Sequence, residues 1–167
     1  MILVIDGFNL LYKFPELEGL MAENNLSQAR IGILNLLIQY KKKRKQDKIH
    51  IFFDGKKEQG SMVVEDEVEG MRIYYSHDIK ADDYIKLFIQ KSLIRNELYL
   101  VSSDKDLILH GKKYGCKGFK SEEFAKLIQE EIFKRSNEEE EKKSDISLSN
   151  EEVKYWYSLF KGKKNAR

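Results

Sequence analysis

The residues of this chain that could do chemistry are aspartates: Asp6, Asp54, Asp82 with Asp83 beside it, and Asp104 with Asp106 two positions on. Three of them follow apolar runs closely. Ile2–Ile5 leads to Asp6, Ile49–Phe53 leads to Asp54, and Leu98–Val101 leads through Ser102 and Ser103 to Asp104. Short apolar runs of this kind read as buried strands. Strands that each end in a carboxylate gather negative charge at one edge of a sheet. Such charges repel and raise one another's pKa unless cations hold them. The pattern points to a divalent-metal site and to phosphodiester cleavage.

Carboxylate oxygens are hard ligands that suit Mg²⁺ or Mn²⁺. His50, His77 and His110 show no metal-ligand spacing and have no cysteine partner, so zinc and iron are disfavoured. One or two ions among Asp6, Asp82 and Asp104 would activate water and neutralise a scissile phosphate. Asn9, Ser102 and Ser103 could orient that phosphate or a metal-bound water by hydrogen bonds. Each acid also has an ordinary reading. Asp82 and Asp83 suit a helix N-terminus, Ser103 or Asp104 could cap a helix, and Asp54-Gly55 could be a turn. Asp6 is hardest to explain that way, since it closes a buried strand and is followed by Gly7 and Asn9. No Walker A, GxGxxG, Ser-His-Asp or Cys-His arrangement competes.

Positioning these acids requires alternating elements. Strands are expected at 2–6, 48–54, 71–76 and 97–103, with a short one at 117–119. Helices are expected from Leu26 into the basic run Lys41–Lys45 with Ser27 as N-cap, over 81–95 and 104–114, and from Ser121 as N-cap. Residues 55–70 read as a loop with a short strand near Met62–Val64. Alternation predicts an α/β fold with a mostly parallel sheet, helices on both faces and right-handed crossovers. In such sheets ligands bind beyond the carboxyl ends of the strands, near the switch in strand order.

A chain of 167 residues is one domain by size, and its 41% hydrophobic content supplies a core. Its 30 basic and 28 acidic residues nearly cancel, so net charge neither demands nor forbids a polyanionic partner. The single cysteine, Cys116, excludes an intramolecular disulfide and fits a reducing cytoplasm. No basic region precedes the apolar start, so no signal peptide is expected. No apolar run nears the roughly 20 residues that cross a bilayer. The expectation is a soluble cytoplasmic protein without a membrane partner. Residues 136–150 read as an acidic linker. Within 151–167, Val153, Trp156, Tyr157 and Phe160 form a helical apolar stripe before a basic tail.

Four stretches carry a resemblance: Ile2–Leu11 around Asp6, Gly7 and Asn9; Phe52–Gly55; Lys80–Ile85; and Val101–Asp106. In order and spacing they resemble the NYN domains of the PIN-like nuclease superfamily, in particular the YacP-like branch, over about residues 1–133. The resemblance implies a PIN-like three-layer α/β/α sandwich over 1–135 and a Mg²⁺- or Mn²⁺-dependent endoribonuclease. It implies Asp6, Asn9, Asp82 and Asp104 as catalytic residues. Asp83 stands where the branch often has a second acid, and Asp106 at a position that varies; with Asp6, Asp82 and Asp104 they make the expected metal set. Asp54 matches a recurrent acid peripheral to the metal. Lys80 departs from the branch, which commonly has a small hydroxyl residue there.

The implied partner is RNA, with mRNA, rRNA and tRNA all open, and with presentation by a ribosome or another assembly open too. RNA is gripped through its phosphates. Lys56 and Lys57, just beyond Asp54, are the best-placed cations, with Ser102 and Ser103 as further substrate contacts. The run Lys41–Lys45 should lie at the opposite end of the sheet. Phe8, Tyr12 and Phe14 could stack on bases or pack beneath the first loop. Two other readings stand beside this one. A phosphatase of the Asp-x-Asp type or a receiver domain is opposed by Phe8 and by the isolation of Asp6. A non-catalytic RNA-binding or protein adaptor of the same fold is opposed by the full set of acids.

Overall fold

The computed structural model describes residues 1–142. Strand β1 is Ile2–Asp6, followed by α1 (Gly7–Leu11), α2 (Pro15–Ala22) and α3 (Leu26–Lys43). Then come β2 (Lys48–Phe53), β3 (Glu65–Val68), β4 (Met71–Tyr75) and α4 (Ala81–Lys91). A 3-10 turn at Arg95–Glu97 leads into β5 (Leu98–Val101), α5 (Lys105–Lys113), β6 (Lys117–Phe119) and α6 (Ser121–Lys142).

The strands form one sheet in the order β3-β4-β2-β1-β5-β6. Every pairing is parallel except β3 with β4. β1 pairs Ile5 with Ile51 on one side and with Val101 on the other. The chain winds outward from β1 in both directions, so the switch in strand order falls at β1, where Asp6 ends the strand.

Side chains alternate across the sheet, as the two-residue strand period demands. Leu3, Ile5, Ile49, Ile51, Phe53, Ile73 and Tyr75 face a core closed by Leu10, Phe14, Ile33, Leu37, Tyr40, Phe124 and Ile128 from α1, the α1–α2 link, α3 and α6. Val4, Phe52, Tyr74, Leu98 and Leu100 face Ile85, Ile89 and Leu107 from α4 and α5. The result is the expected three-layer α/β/α sandwich. No described helix is long and apolar enough to cross a membrane.

Several local expectations are corrected. α1 and α2 lie in a stretch for which no element was expected. α3 is capped by Asn25, whose side chain accepts the Gln28 N–H, rather than by Ser27. The short strand of the 55–70 excursion is the acidic Glu65–Val68, not Met62–Val64. It is held by backbone pairing at the sheet edge, a condition that apolar content does not signal. α4 stops at Lys91 rather than 95. α6 continues to Lys142, seven residues beyond the boundary drawn at 135. The rest of the linker reading and the stripe of Val153, Trp156, Tyr157 and Phe160 lie outside the described residues.

Gly7 is fixed by packing. A Cβ there would sit 2.6 Å from the Phe53 ring and 2.7 Å from the Phe52 carbonyl oxygen. The chain can therefore turn from β1 into α1 against β2 only with glycine.

Candidate active site

Asp6 ends β1 and caps α1: its Oδ1 accepts the Asn9 N–H at 3.3 Å. Its Oδ2 accepts the Ser102 hydroxyl at 3.3 Å. Ser102 is fully buried, and its Oγ also accepts the Asp104 N–H at 3.1 Å. One hydroxyl thus joins the ends of β1 and β5. Asp104 in turn caps α5 through the Leu107 N–H at 2.9 Å.

Asn9 makes the second tie. Its Oδ1 accepts the Ser103 N–H at 2.9 Å and the Ser121 hydroxyl at 2.7 Å, joining β1, β5 and α6. Ser121, expected as a helix cap, is spent here instead. The start of α6 is closed by Glu123, whose carboxylate accepts the Lys120 N–H at 3.2 Å. Ser103 accepts the Ser121 N–H at 3.0 Å and hydrogen-bonds Glu122. Glu122 pairs with Lys13 at 2.7 Å. Those two partners hold its carboxyl down at about 2, Lys13 first and Ser103 second.

Asp82 sits in the first turn of α4. Lys80, the residue before that helix, offers no side-chain cap. Asp54, at the end of β2, supplies one from outside: its Oδ1 accepts the Ala81 N–H at 2.7 Å. Asp54 is therefore a support of α4 as well as an acid at the site. Its own loop is held by Arg30 of α3, which donates to the carbonyls of Asp54 at 2.7 Å, Lys56 at 2.7 Å and Lys57 at 3.1 Å.

The electrostatics follow from this placement. Burial raises the Asp6 carboxyl to about 6, and the charges of Asp82 and Asp54 add to the rise. Asp82 is also raised, by burial first and then by Asp104 and Asp54, with Asp83 adding less. The structure thus brings Asp6, Asp54, Asp82 and Asp104 into mutual repulsion at one edge. Asp83 is exposed beside them. Asp106 is 77% exposed and committed to Lys86 of α4 at 2.5 Å, the same lysine whose charge partly offsets Asp82.

Among the described residues, no three histidine, cysteine or acidic side chains form a group that could by itself enclose a metal ion. The expected convergence of Asp6, Asp82 and Asp104 on one ion is thus not drawn tight. The donor set still fits a hard, hydrated cation, because Mg²⁺ usually keeps several waters and takes one or two carboxylates, with substrate phosphates supplying the rest. Asp6 and Asp82, both raised first by burial and further by neighbouring carboxylates, with Lys86 offsetting part of the charge at Asp82, are the carboxylates such an ion would relieve.

The substrate-binding assignments divide. Ser102 cannot touch a substrate, being fully buried and spent on Asp6 and Asp104. Ser103 is engaged by Ser121 and Glu122. Lys57 is tied to Asp66 at 2.7 Å, whereas Lys56 is exposed. Phe8 packs edge-on against Phe53 and Phe14 is buried, so of the three aromatics only Tyr12, 47% exposed, offers its ring to solvent. His50 is held neutral far into acid, at about 4, by burial and by Arg72, and hydrogen-bonds Tyr74 at 3.0 Å. A cavity of about 820 Å³ lies under α4 near the start of the strands, lined by Lys48, His50, Arg72 and Phe88; none of the acids lines it.

Sequence reasoning missed Lys13, Arg30, Lys86, Ser121 and Glu122. Their partners are 18 to 112 positions distant along the chain, the longest being Ser121 with Asn9. Only Ser121 and Glu122 carried a signal, as parts of a helix start, and neither signal pointed to these partners.

The comparisons agree with this architecture. The profile of the YacP-like NYN domain matches residues 3–161. The fold is similar to two crystal structures of Rae1 (YacP) from Bacillus subtilis. One, a single-substitution variant, has a TM-score of 0.68 at 18% identity, covering 90% of this chain and 87% of that one. The other has a TM-score of 0.64 at 20% identity, covering 97% and 95%. No curated protein matches the chain at a significant level.

Proposed function

This chain belongs to the YacP-like NYN domain family, a PIN-like nuclease-type domain, and from that premise we propose that it is a metal-dependent endoribonuclease. The observation that carries the proposal is the set of mutually repelling acids at the strand-order switch, with Asp6 raised to about 6 although it accepts two hydrogen bonds. A carboxylate so placed is costly in water alone and is relieved by a cation. Such sites recur where chemistry is done.

In this reading Asp6 and Asp82 would hold Mg²⁺ or Mn²⁺, with Asp104 and Asp83 beside them, and a cation held there would supply water activation and charge neutralisation at the scissile phosphate. Ser102 fixes the direction of the Asp6 carboxylate and the start of the Asp104 turn. Asn9 holds the β1, β5 and α6 ends in register. Lys56 meets the RNA backbone beside the site, and the exposed Tyr12 ring receives a base. Lys57, Asp54 and Asp106 act on the protein rather than on RNA.

A second reading, a non-catalytic RNA-binding or protein adaptor of the same fold, is favoured by one observation, the absence of a tight three-acid group among the described residues. Digestion of end-labelled single-stranded RNA in Mn²⁺ separates the two. We expect internal cleavage by the wild type and at least a hundredfold loss in Asp104→Asn with an unchanged circular dichroism spectrum. Equal cleavage by both proteins would remove Asp104 from the mechanism, and none by either would leave the adaptor.

A further inference from the structure

We propose that Arg30 is the positioning residue for Asp82, acting from the far face of the sheet through the 54–57 loop and the Asp54 carboxylate. The inference rests on the site assignment above and goes beyond it, because Arg30 bonds only main-chain carbonyls of the 54–57 loop and touches none of the acids' carboxylates.

Helix α4 carries Asp82 at its second residue, so the start of this helix sets where that carboxylate lies. The residue before it, Lys80, provides no side-chain cap. The first free N–H of the helix, that of Ala81, is taken instead by Asp54 at 2.7 Å. An N-terminal cap donated from another loop holds the helix only as well as that loop is held.

Arg30 holds the loop. Arg30 is buried, with 6% of the residue exposed. Nη2 donates to the Asp54 carbonyl at 2.7 Å, and Nη1 to those of Lys56 at 2.7 Å and Lys57 at 3.1 Å. The group sits among three rings, 5.5 Å from Phe8, 5.4 Å from Phe53 and 5.5 Å from Tyr75. A planar fork with several fixed donors fits three carbonyls and an aromatic slot together. The point charge of lysine does not. The loop turns at Gly55, at a φ of +80°, where the Ser76 hydroxyl accepts the Gly55 N–H at 3.2 Å and the Gly55 carbonyl accepts the His77 N–H at 3.0 Å; Arg30 fixes the carbonyls on either side of that turn.

The route therefore runs from Arg30 to the 54–57 carbonyls, to the Asp54 carboxylate, to the Ala81 N–H and so to Asp82. Substituting a side chain on α3 should disturb an acid on α4 although the two residues make no contact.

The test uses the full chain and the variants Arg30→Lys, Asp54→Ala and their combination. Hydrogen exchange of single amides is read first, and it requires no activity. Arg30→Lys and Asp54→Ala should each speed exchange of the Ala81 amide at least tenfold while leaving those of Ile51 and Ile73 unchanged. RNA cleavage in Mn²⁺ is read second. Each single variant should lower kcat about tenfold at unchanged KM, and the double variant should be no slower than the slower single. An unchanged Ala81 amide in either variant, or rate losses that multiply in the double, would overturn the route. If Arg30→Lys does not fold, Asp54→Ala alone decides the remote cap by the same amide. If the wild type cleaves no RNA, the enzymatic reading fails, and the exchange data still judge Arg30.

Discussion

The Asp6 carboxylate accepts the Ser102 hydroxyl across 96 positions of sequence at 3.3 Å, and the same oxygen of Ser102 accepts the Asp104 N–H at 3.1 Å. One buried side chain therefore sets two of the acids. Hydrogen bonds to a charged group are worth about 1.5 to 3 kcal/mol. Ser102→Ala should push the Asp6 carboxyl higher still and lower kcat about tenfold or more. Steady-state cleavage kinetics check this, and an unchanged kcat would separate Ser102 from the site.

The Asp6 shift has a consequence for stability in the metal-free protein. Its carboxyl is raised in the fold, from 3.8 to about 6, mainly by burial. A raised acid contributes its full stability below the unfolded value and loses it as pH climbs through the folded one. Between pH 4 and pH 7 in EDTA, Asp6→Asn should gain on the wild type by about 2 to 3 kcal/mol, at about 1.4 kcal/mol per pKa unit. Urea unfolding of both proteins at the two pH values measures the change. A constant difference would mean that Asp6 is not strained by its burial.

Gly7→Ala should destabilise the fold by about 2 kcal/mol or more, because the new methyl would meet the Phe52 carbonyl at 2.7 Å, an atom of the sheet itself. The same unfolding assay tests it. A loss under about 0.5 kcal/mol would show that the β1–α1 turn can shift aside.

Lys56 and Lys57 should differ despite being neighbours. Lys57 is committed to Asp66 at 2.7 Å, and Lys56 is exposed. Lys56→Ala should weaken RNA binding and reduce the slope of log affinity against log salt by about 1, the signature of one lost phosphate contact. Lys57→Ala should change that slope by less than half as much. Fluorescence anisotropy over a salt series reads both, and equal effects would contradict the division.

The sheet and its flanking helices were legible because apolar runs of period two and helical stripes both report burial, which the sequence encodes locally. Asp6, Asp54, Asp82 and Asp104 were legible for a related reason: strand ends in a parallel sheet share one edge. What escaped depended on contacts between distant positions. The acidic strand Glu65–Val68 exists through its pairing with β4 and carries no apolar signal. Helix α1 is five residues capped by Asp6 itself, a residue whose charge drew the reading toward metal. α2 did carry a signal, Pro15 at its first turn with Glu16 and Glu18 after it, the usual chemistry of a helix start. Arg30 could not be distinguished from a surface residue, and Ser121 read only as a helix cap, since their roles are set by backbone carbonyls and by an asparagine from elsewhere in the chain. Ser102 was expected as a substrate contact, whereas its hydroxyl is buried between Asp6 and Asp104, because sequence cannot tell a buried hydroxyl from an exposed one.

The most direct measurement is digestion of a mixed panel of single-stranded RNA and DNA by wild type and Asp6→Asn side by side, in Mn²⁺ and in EDTA. RNA cleavage is expected by the wild type in Mn²⁺, none in EDTA, and none by Asp6→Asn in either. RNA cleavage that persists in EDTA, or in folded Asp6→Asn, would contradict that expectation.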